Sequence, residues 1–312
     1  MFSLKTKRDD KLTAGLTLSS EGIALAIISH ETLLPSLLHA EFYPSTIAEQ
    51  PSLLAELKLQ HRLDQHPCNL VLSPDEYQLL QVESPDVPSQ EQGAAIRWRI
   101  KDLIDFHIDD AVIDLIKLPS EQSSTTNSIQ VVACRKSIIQ RHVDQLHSAK
   151  LALSTIDIAE LSARNLLSHQ SEQHEGLALL NLWGDYARIS LYLNNNLYLS
   201  RSSSIGLNTL AHIFENEHID DASLLVLDSL ALELQRTFDY YESHSRQAPI
   251  QQLFIQTNTA FSTKLAELIQ QRTGINTQSI NIDSLVQNDS KNTDALPSRC
   301  LSAIGGALRK EP

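Results

Sequence analysis

A chain of 312 residues is long enough for about two domains. Its hydrophobic fraction, 42%, supports a sizeable core and is too high for a disordered chain. A formal net charge of −13 excludes the basic footprint of a nucleic-acid binder and direct adhesion to anionic lipid.

The first periodic stretch, "GLTLSSEGIALAII" from Gly15, reads as two short apolar strands joined by a polar turn. "LHAEFYP" follows as a third strand. "SLLAELKLQHRL" has leucines at 53, 54, 57 and 59, close to helical spacing, and "CNLVLSP" is a buried strand stopped by Ser73-Pro74. Residues 10–74 therefore read β-β-β-α-β. "YQLLQVESP" is a strand closed by proline. "PSQEQGAAIRWRIKDLIDF" is a helix whose cap is expected at Ser89, with Gln92 as its capping-box partner. Its expected apolar face is Ala95, Ile96, Ile100, Leu103 and Ile104. "AVIDLIKLP" and "IQVVACR" are strands around a polar loop, "SEQSSTTNS", whose composition predicts easy cleavage. "KSIIQRHVDQLHSAK" is an amphipathic helix and "LALSTIDI" a last strand of this segment, giving β-α-β-β-α-β.

The third segment opens with the helix "AELSARNLL" and a polar loop. Three strands come next, "LALLNLW", "YARISLYLN" and "NLYLSRSSSI", then the longest helix, "DDASLLVLDSLALELQRTFDYYESHS". "IQQLFIQT" is a strand, "STKLAELIQQRTG" a helix ended by Gly274, and "INTQSINI" an edge-like strand. "SLVQNDSKNTDALPS" reads as loop and "RCLSAIGGALRK" as a closing helix. The first and third segments share an opening: an antiparallel strand run, then helix, strand and helix. The second segment interrupts them.

Few side chains carry an obvious chemistry. Cys68, Cys134 and Cys300 match no metal or redox spacing and read as reduced thiols, Cys134 as a small hydrophobe inside a strand. "MFSLKTKRDD" lacks the apolar stretch of a signal peptide, and no run reaches about 18 apolar residues, so a cytoplasmic chain without a span is expected. His61 and His66, His142 and His147, and His169 and His174 are five apart, which does not place two imidazoles on one helix face, and they read as surface or loop residues. Asp109-Asp110 and Asp220-Asp221 stand where helices or strands begin and read as caps. No nucleophile-elbow, Walker or Rossmann glycine pattern occurs. Trp98, within "IRWRIKDL", has two readings: core packing, or the wall of a binding groove.

The element order, with the stretches "SPDEYQLLQVESPDVPSQEQGAAIRWRIKDLIDFHIDDAVIDLIKLP", "LALELQRTFDYYES" and "LSAIGGALR", resembles the PilM family of type IV pilus assembly proteins. The resemblance runs over nearly the whole chain, and within the family it is nearest to the MshI-type members of mannose-sensitive hemagglutinin pilus biogenesis. It implies an α/β, actin-like ATPase (ribonuclease H-like) fold with two lobes. Residues 1–74 would begin the first lobe. Residues 75–157 would be an inserted α+β subdomain. Residues 158–312 would return to the first lobe and form the second.

The resemblance also marks where this sequence departs from the family's ATP site. The first phosphate hairpin, usually G-L-D-I-G, is here Gly15-Leu16-Thr17-Leu18-Ser19. The second, usually D-I-G, is Asn181-Leu182-Trp183, with Gly184 one place late. The adenosine segment, usually a strand followed by s-G-G, is Gln256-Thr257-Asn258-Thr259. The changed places are thus Thr17, Ser19, Asn181, Trp183, Gly184, Thr257 and Asn258. Acids that would organise magnesium have become neutral, and glycines that would let backbone approach phosphate have become side chains. The expectation is no resident cofactor, no metal and no enzymatic activity. The alternative is an ATPase regulating pilus assembly that holds ATP with other residues. The resemblance further implies a PilN-like inner-membrane partner whose cytoplasmic tail lies in a groove between the first lobe and the inserted subdomain, with Leu79, Trp98 and Ile116 as candidate contacts. The membrane would be reached only through that partner. A third reading is the cytoplasmic part of a type II secretion platform protein, which shares the fold and continues into a membrane span that is missing from this sequence.

Overall fold

The computed structural model describes residues 11–32, 34–117, 128–168, 176–215, 220–245, 249–257, 259–280, 287–288 and 298–309. Contacts divide the chain into two compact units. One comprises Met1–Leu115, Val131–Ser171 and Ile282–Pro312; the other comprises Ile116–Gln130 and Glu172–Asn281.

The first unit is built on strands β1 (Leu12–Ser19), β2 (Gly22–Ser29) and β3 (Ser36–Pro44), helix α1 (Gln50–His61) and strand β4 (Pro67–Leu72). β1 and β2 form a hairpin in which Ser19 faces Gly22, so Ser20 and Glu21 make the turn. Every residue of β2 is buried, as expected of a strand with neighbours on both edges and cover on both faces. β4 adds parallel to β1 on the other side. The second unit repeats this plan with β9 (Leu177–Leu182), β10 (Ala187–Leu193), β11 (Asn196–Ser203), α5 (Leu207–Glu215), α6 (Asp221–Ser245), β12 (Gln252–Gln256), α7 (Ser262–Thr273) and β13 (Asn276–Ser279). Its sheet runs β11-β10-β9-β12-β13. In the first unit the same order reads β3-β2-β1-β4-β8, with the two-residue strand β14 (Gln287–Asn288) beyond β3 and β8 (Ala152–Ile158) at the other edge. The echo between the first and third segments is thus a shared strand order. Between them lie β5 (Tyr77–Glu83), α2 (Ser89–Ile100), β6 (Ala111–Lys117), β7 (Ser128–Arg135) and α3 (Lys136–Ser148), whose strands form a third sheet ordered β5-β7-β6.

Several elements differ from the sequence reading. The strand "LALSTIDI" does not join the three-stranded sheet; it is β8, paired parallel with β4 in the first unit's sheet. Pro88, not Ser89, is the cap of α2, and Gln92 donates instead to Ser84 Oγ at 3.2 Å, so no capping box forms. α2 ends at Ile100, where the amides of Leu103 and Ile104 both turn back to the Ile100 carbonyl. Ile96, Ile100 and Ile104 are buried as expected, but Leu103, beyond the helix end, is 56% exposed. α5 was unassigned in the sequence, and β14 lies in a stretch read as loop. His66 and His142 are buried rather than at the surface, His142 with Nε2 2.7 Å from Glu76 Oε1. His147 and His61 lie on helices, and His169 and His174 fall outside the described residues, as does all of the loop "SEQSSTTNS" except Ser128.

The closing helix α8 (Leu301–Ala307) explains three of the first unit's glycines, Gly15, Gly305 and Gly306. It runs against β1, β4 and α4 (Ala159–Leu167) with almost every residue buried. A Cβ on Gly15 would overlap the Ala303 carbonyl, one on Gly305 the Ser162 carbonyl, and one on Gly306 would come within 2.6 Å of Val71 Cγ2. Backbone therefore meets backbone. The helix carbonyls reached this way are satisfied by side chains: Ser162 Oγ donates to Ser302 O (2.7 Å), Asn165 Nδ2 to Gly305 O (2.9 Å) and Asn69 Nδ2 to Gly306 O (3.0 Å). Arg309 then pairs with buried Asp157 of β8 at 2.7 Å.

Gly15→Ala should cost at least about 3 kcal/mol, the upper range for overpacking a core, because carbonyl and strand cannot both yield. Gly93→Ala is the opposite case: nothing lies within 4 Å on exposed α2, so a stabilisation of about 0.4–1 kcal/mol is expected. Urea unfolding of the two variants beside the parent measures both; equal midpoints would contradict the close-approach account.

Candidate functional site

Six of the seven places singled out in the sequence are described, and they lie at or just beyond the ends of three strands. Thr17 and Ser19 are on β1 in the first unit, on the face that Gly15 turns to α8, since alternate residues share a face. Ser19 is committed to the hairpin itself. Its Oγ accepts from the Glu21 amide at 3.3 Å and donates to the Gly22 carbonyl at 3.2 Å. Its own carbonyl accepts from Gln50 Nε2 at 2.6 Å, and Gln50 is only 3% exposed. Gly22 has φ +152°, and a Cβ there would overlap the Tyr43 carbonyl, so this glycine serves the turn and the neighbouring strand. Glu21, at the tip, pairs with Arg299 at 2.8 Å, and Arg299 in turn lies over the Phe42 ring. A hairpin that cradles phosphate needs free backbone N–H groups and no competing anion. This tip has a carboxylate, and its Glu21 amide is engaged by Ser19.

Asn181, Trp183, Gly184 and Thr257 are in the second unit. Asn181 on β9 sits between Arg188 on β10 and Gln256 on β12, a row across the sheet in which paired residues share one face. The second and third motif segments are thereby brought side by side. Asn181, Gln256 and Thr257 are 5%, 3% and 2% exposed, and Gln256 Oε1 and Thr257 Oγ1 have no hydrogen-bond partner among the described residues. Asn258 lies outside the described residues. Trp183 and Gly184 form the turn between β9 and β10, closed by the Trp183 amide on the Tyr186 carbonyl at 2.9 Å, with the Trp183 and Tyr186 rings stacked at 5.3 Å. The start of α5 occupies this turn. Leu207 N donates to Trp183 O at 2.6 Å and Asn208 N to Gly184 O at 2.7 Å, while Asn208 Nδ2 reaches Asp185 Oδ1 at 2.9 Å. Gly206 allows it, since a Cβ there would overlap the backbone of Gly184, Asp185 and Tyr186. Helix N-terminal amides are a ready anion site when free; here these two are already bonded.

None of Thr17, Asn181, Gln256 or Thr257 brings a carboxylate, and a hard divalent cation needs oxygen ligands that can offset its charge. Among the described residues no three His, Cys, Asp or Glu side chains form a metal-binding group. Cys134 and Cys300 offer no ready nucleophile. Burial pushes the Cys134 thiol up to about 11 and Cys300 up to about 12, so both stay protonated near neutral pH. Asp220 caps α6, accepting from the Ser223 amide at 2.8 Å, and hydrogen bonds from the Ser223 hydroxyl and then its amide hold the carboxyl below the usual range. Asp109 and Asp110 lie in an exposed turn.

The three candidate groove residues are placed separately. Leu79 is half-buried on β5 and Ile116 half-buried on β6, the two strands that flank β7. Trp98 is 71% exposed, with Lys101 Nζ 3.7 Å over its ring. The core reading of Trp98 is thereby removed. Sequence reasoning did not find Glu21, Gln50, Asn208 or Arg299. Glu21 was visible inside the quoted hairpin; the others reach the turns from far along the chain and left no local signal.

No protein-family model matches this sequence, and no curated protein does. Solved structures do. A structure described as the PilM–PilN type IV pilus biogenesis complex aligns with TM-score 0.73 and 19% identity, over 96% of this chain and 98% of that one. The fold is actin-like. The cytoplasmic domain of EpsL, an inner-membrane component of the type II secretion system of Vibrio cholerae, aligns with TM-score 0.52 and 13% identity over 96% of this chain and 95% of that one. A Bacteroides thetaiotaomicron protein of unknown function with an actin-like ATPase fold gives TM-score 0.52 at 10% identity, over 91% and 96% of the two chains.

The internal bonds at the first hairpin have a measurable weight. Gln50→Ala removes a side-chain donor from the half-buried Ser19 carbonyl, which should cost about 0.5–1.5 kcal/mol. Chemical denaturation reads the loss, and hydrogen exchange should localise it to residues 17–23. Unchanged exchange there would mean that the amide does not hold the tip.

Proposed function

We propose that this chain is a non-catalytic scaffold of a type IV pilus assembly platform, of the MshI type, and that it holds the cytoplasmic tail of a PilN-like inner-membrane protein. The observation that carries the reading is the two-way alignment with the PilM–PilN complex structure, 96% of one chain and 98% of the other. Among the described residues no helix is long and apolar enough to cross a membrane, so on this reading the partner supplies the attachment at the cytoplasmic face. The inserted α+β subdomain, taken as about 75–151 because β8 pairs with β4, would form one wall of the tail groove. A tail lying as an added strand would gain main-chain hydrogen bonds and bury alternate side chains. Leu79, Trp98 and Ile116 are its proposed contacts.

The ATP site is read as degenerate. The support is local: neutral Thr17 and Asn181 where acids would hold magnesium, the anion Glu21 at one tip, and α5 bonded into the other turn. The rival is an active ATPase with a different ligand set. A second rival is a type II secretion platform component, favoured by the likeness to the EpsL cytoplasmic domain.

Two experiments test this. Purified protein titrated calorimetrically with Mg-ATP should give no heat of binding, and no phosphate release above buffer. Turnover that disappears on substituting Asn181 would establish the ATPase instead. For the partner, the immobilised cytoplasmic tail of the PilN-like protein should retain the parent chain. Trp98→Ala should lose about 2–4 kcal/mol of binding while its melting curve stays with the parent's, since the ring is exposed. Full retention of Trp98→Ala on the tail would remove Trp98 from the groove.

A further inference from the structure

The corner where β3 meets the end of α1 gathers ionisable side chains that neither the hairpins nor the proposed groove use. His39, Glu41 and Tyr43 alternate along β3, and His61 is the last residue of α1. A bulge in the β2–β3 pairing, where Ile27 faces His39 but Ile28 faces Leu37, leaves Leu38 as the extra residue beside His39. Bulges of this kind re-aim the side chains next to them. The two imidazole rings lie 4.2 Å apart between centroids. Both aim Nε2 at one oxygen: Tyr43 Oη is 2.9 Å from His39 Nε2 and 3.4 Å from His61 Nε2.

A phenol oxygen has one hydrogen to give and two lone pairs to accept with. Tyr43 gives its hydrogen to Glu41 Oε2 at 3.0 Å. Its lone pairs are then left for Nε2–H of both histidines, which fixes both tautomers. We propose that this pair is a one-proton latch: β3 and the end of α1 stay joined while at least one of His39 and His61 is neutral, and part when both are charged.

The charges around the pair support this. From β3 only Glu41 is anionic, and it lies 3.8 Å from His39. From α1 come His61 itself and Lys58, a further cation in the same last turn. The short turn Ser298–Cys300 brings Cys300, whose thiol burial keeps protonated. From β2 the facing residues, Ile23, Leu25 and Ile27, are apolar. α3 reaches α1 through Gln145 and Gln50, at the helix's far end. One carboxylate therefore faces two imidazoles. It can balance one imidazolium, but a second would stack on the first at 4.2 Å. Burial, then the nearness of His61, holds the His39 imidazole below the usual histidine range against the pull of Glu41; burial does the same for His61. The sign follows. Histidines that protonate less readily when folded leave stability full above about pH 6.5, their unfolded value. Stability then falls as pH drops through their folded values.

Hydrogen exchange of the full chain at pH 7.5 and 5.0, corrected for intrinsic rates, tests the latch. Protection of 36–44 and 55–61 should fall at least tenfold at pH 5.0 while β9 and β12 hold theirs. His61→Gln and, separately, His39→Gln keep a side-chain donor and cannot charge, so each should retain its protection at pH 5.0. Loss of protection in both variants equal to the parent's, or no loss in the parent, overturns the proposal. Imidazole proton NMR gives a second reading: one histidine titrating well before the other is expected, and two independent titrations at ordinary histidine values would also overturn it.

Discussion

Backbone pressed on backbone sets the rest of the first unit. β1 can lie against α8 only because Gly15 has no side chain, and α8 can lie between α4 and β4 only because Gly305 and Gly306 have none. Carbonyls near a helix end lack intrahelical donors, and one left buried and unpaired costs roughly 1–3 kcal/mol. Ser162 and Asn165 of α4 and Asn69 of β4 donate to the carbonyls of Ser302, Gly305 and Gly306. A sheet edge strand, β8, is tied to the same helix end through Asp157 and Arg309. Helix α8, near the last described residues, thus packs directly on β1.

This constraint changes how the first motif is understood. In "GLTLS" the leading glycine matches the family's phosphate hairpin and could be taken as a remnant of nucleotide binding. Its neighbours show a different use: the position faces a helix carbonyl. The place that would need a glycine for phosphate is Ser19, and its hydroxyl closes the turn upon itself. One short motif thus holds a glycine that packing requires and a serine that closes its own turn. The second turn follows the same logic with other atoms, since α5 spends its first amides on the carbonyls of Trp183 and Gly184. Both turns are held by bonds internal to the protein.

Much of the fold was legible because strand and helix periods are local. The β-β-β-α-β opening, the interrupting segment and the shared element order of the first and third segments all follow from runs of apolar residues and their stops. α5 was equally readable, with Leu207, Leu210 and Ile213 at helical spacing after Gly206. Trp98 could have been placed too. It is two residues, about 200°, from Ile96 on a helix whose buried stripe is Ile96, Ile100 and Ile104, so it faces outward. Leu103 could not, since it would rejoin that stripe only if α2 continued past Ile100. The membership of β8 was illegible for a different reason. Its partner β4 is some eighty residues earlier, and parallel pairing over that distance leaves no mark on either strand's own pattern. The same holds for the site: the neutral side chains at Thr17 and Asn181 could be read, whereas the bonds of Gln50 to Ser19 and of Arg299 to Glu21 could not.

On the proposed reading, these substitutions and the scaffold role are one argument. A nucleotide-gated hairpin must be able to change, since a ligand shifts an equilibrium only through states it binds unequally. A tail-holding groove gains from the reverse, because wall residues already ordered before binding cost less to order during it. Gln50 on Ser19, Arg299 on Glu21 and α5 in the second turn each fix a loop that the actin-like fold otherwise leaves to its ligand. The strands that run from those loops carry the fixed geometry into both sheets. Loss of ATP chemistry is then the structural condition for a rigid surface, and the element order survives because the strands and α8, not the ligand, already supplied the stability.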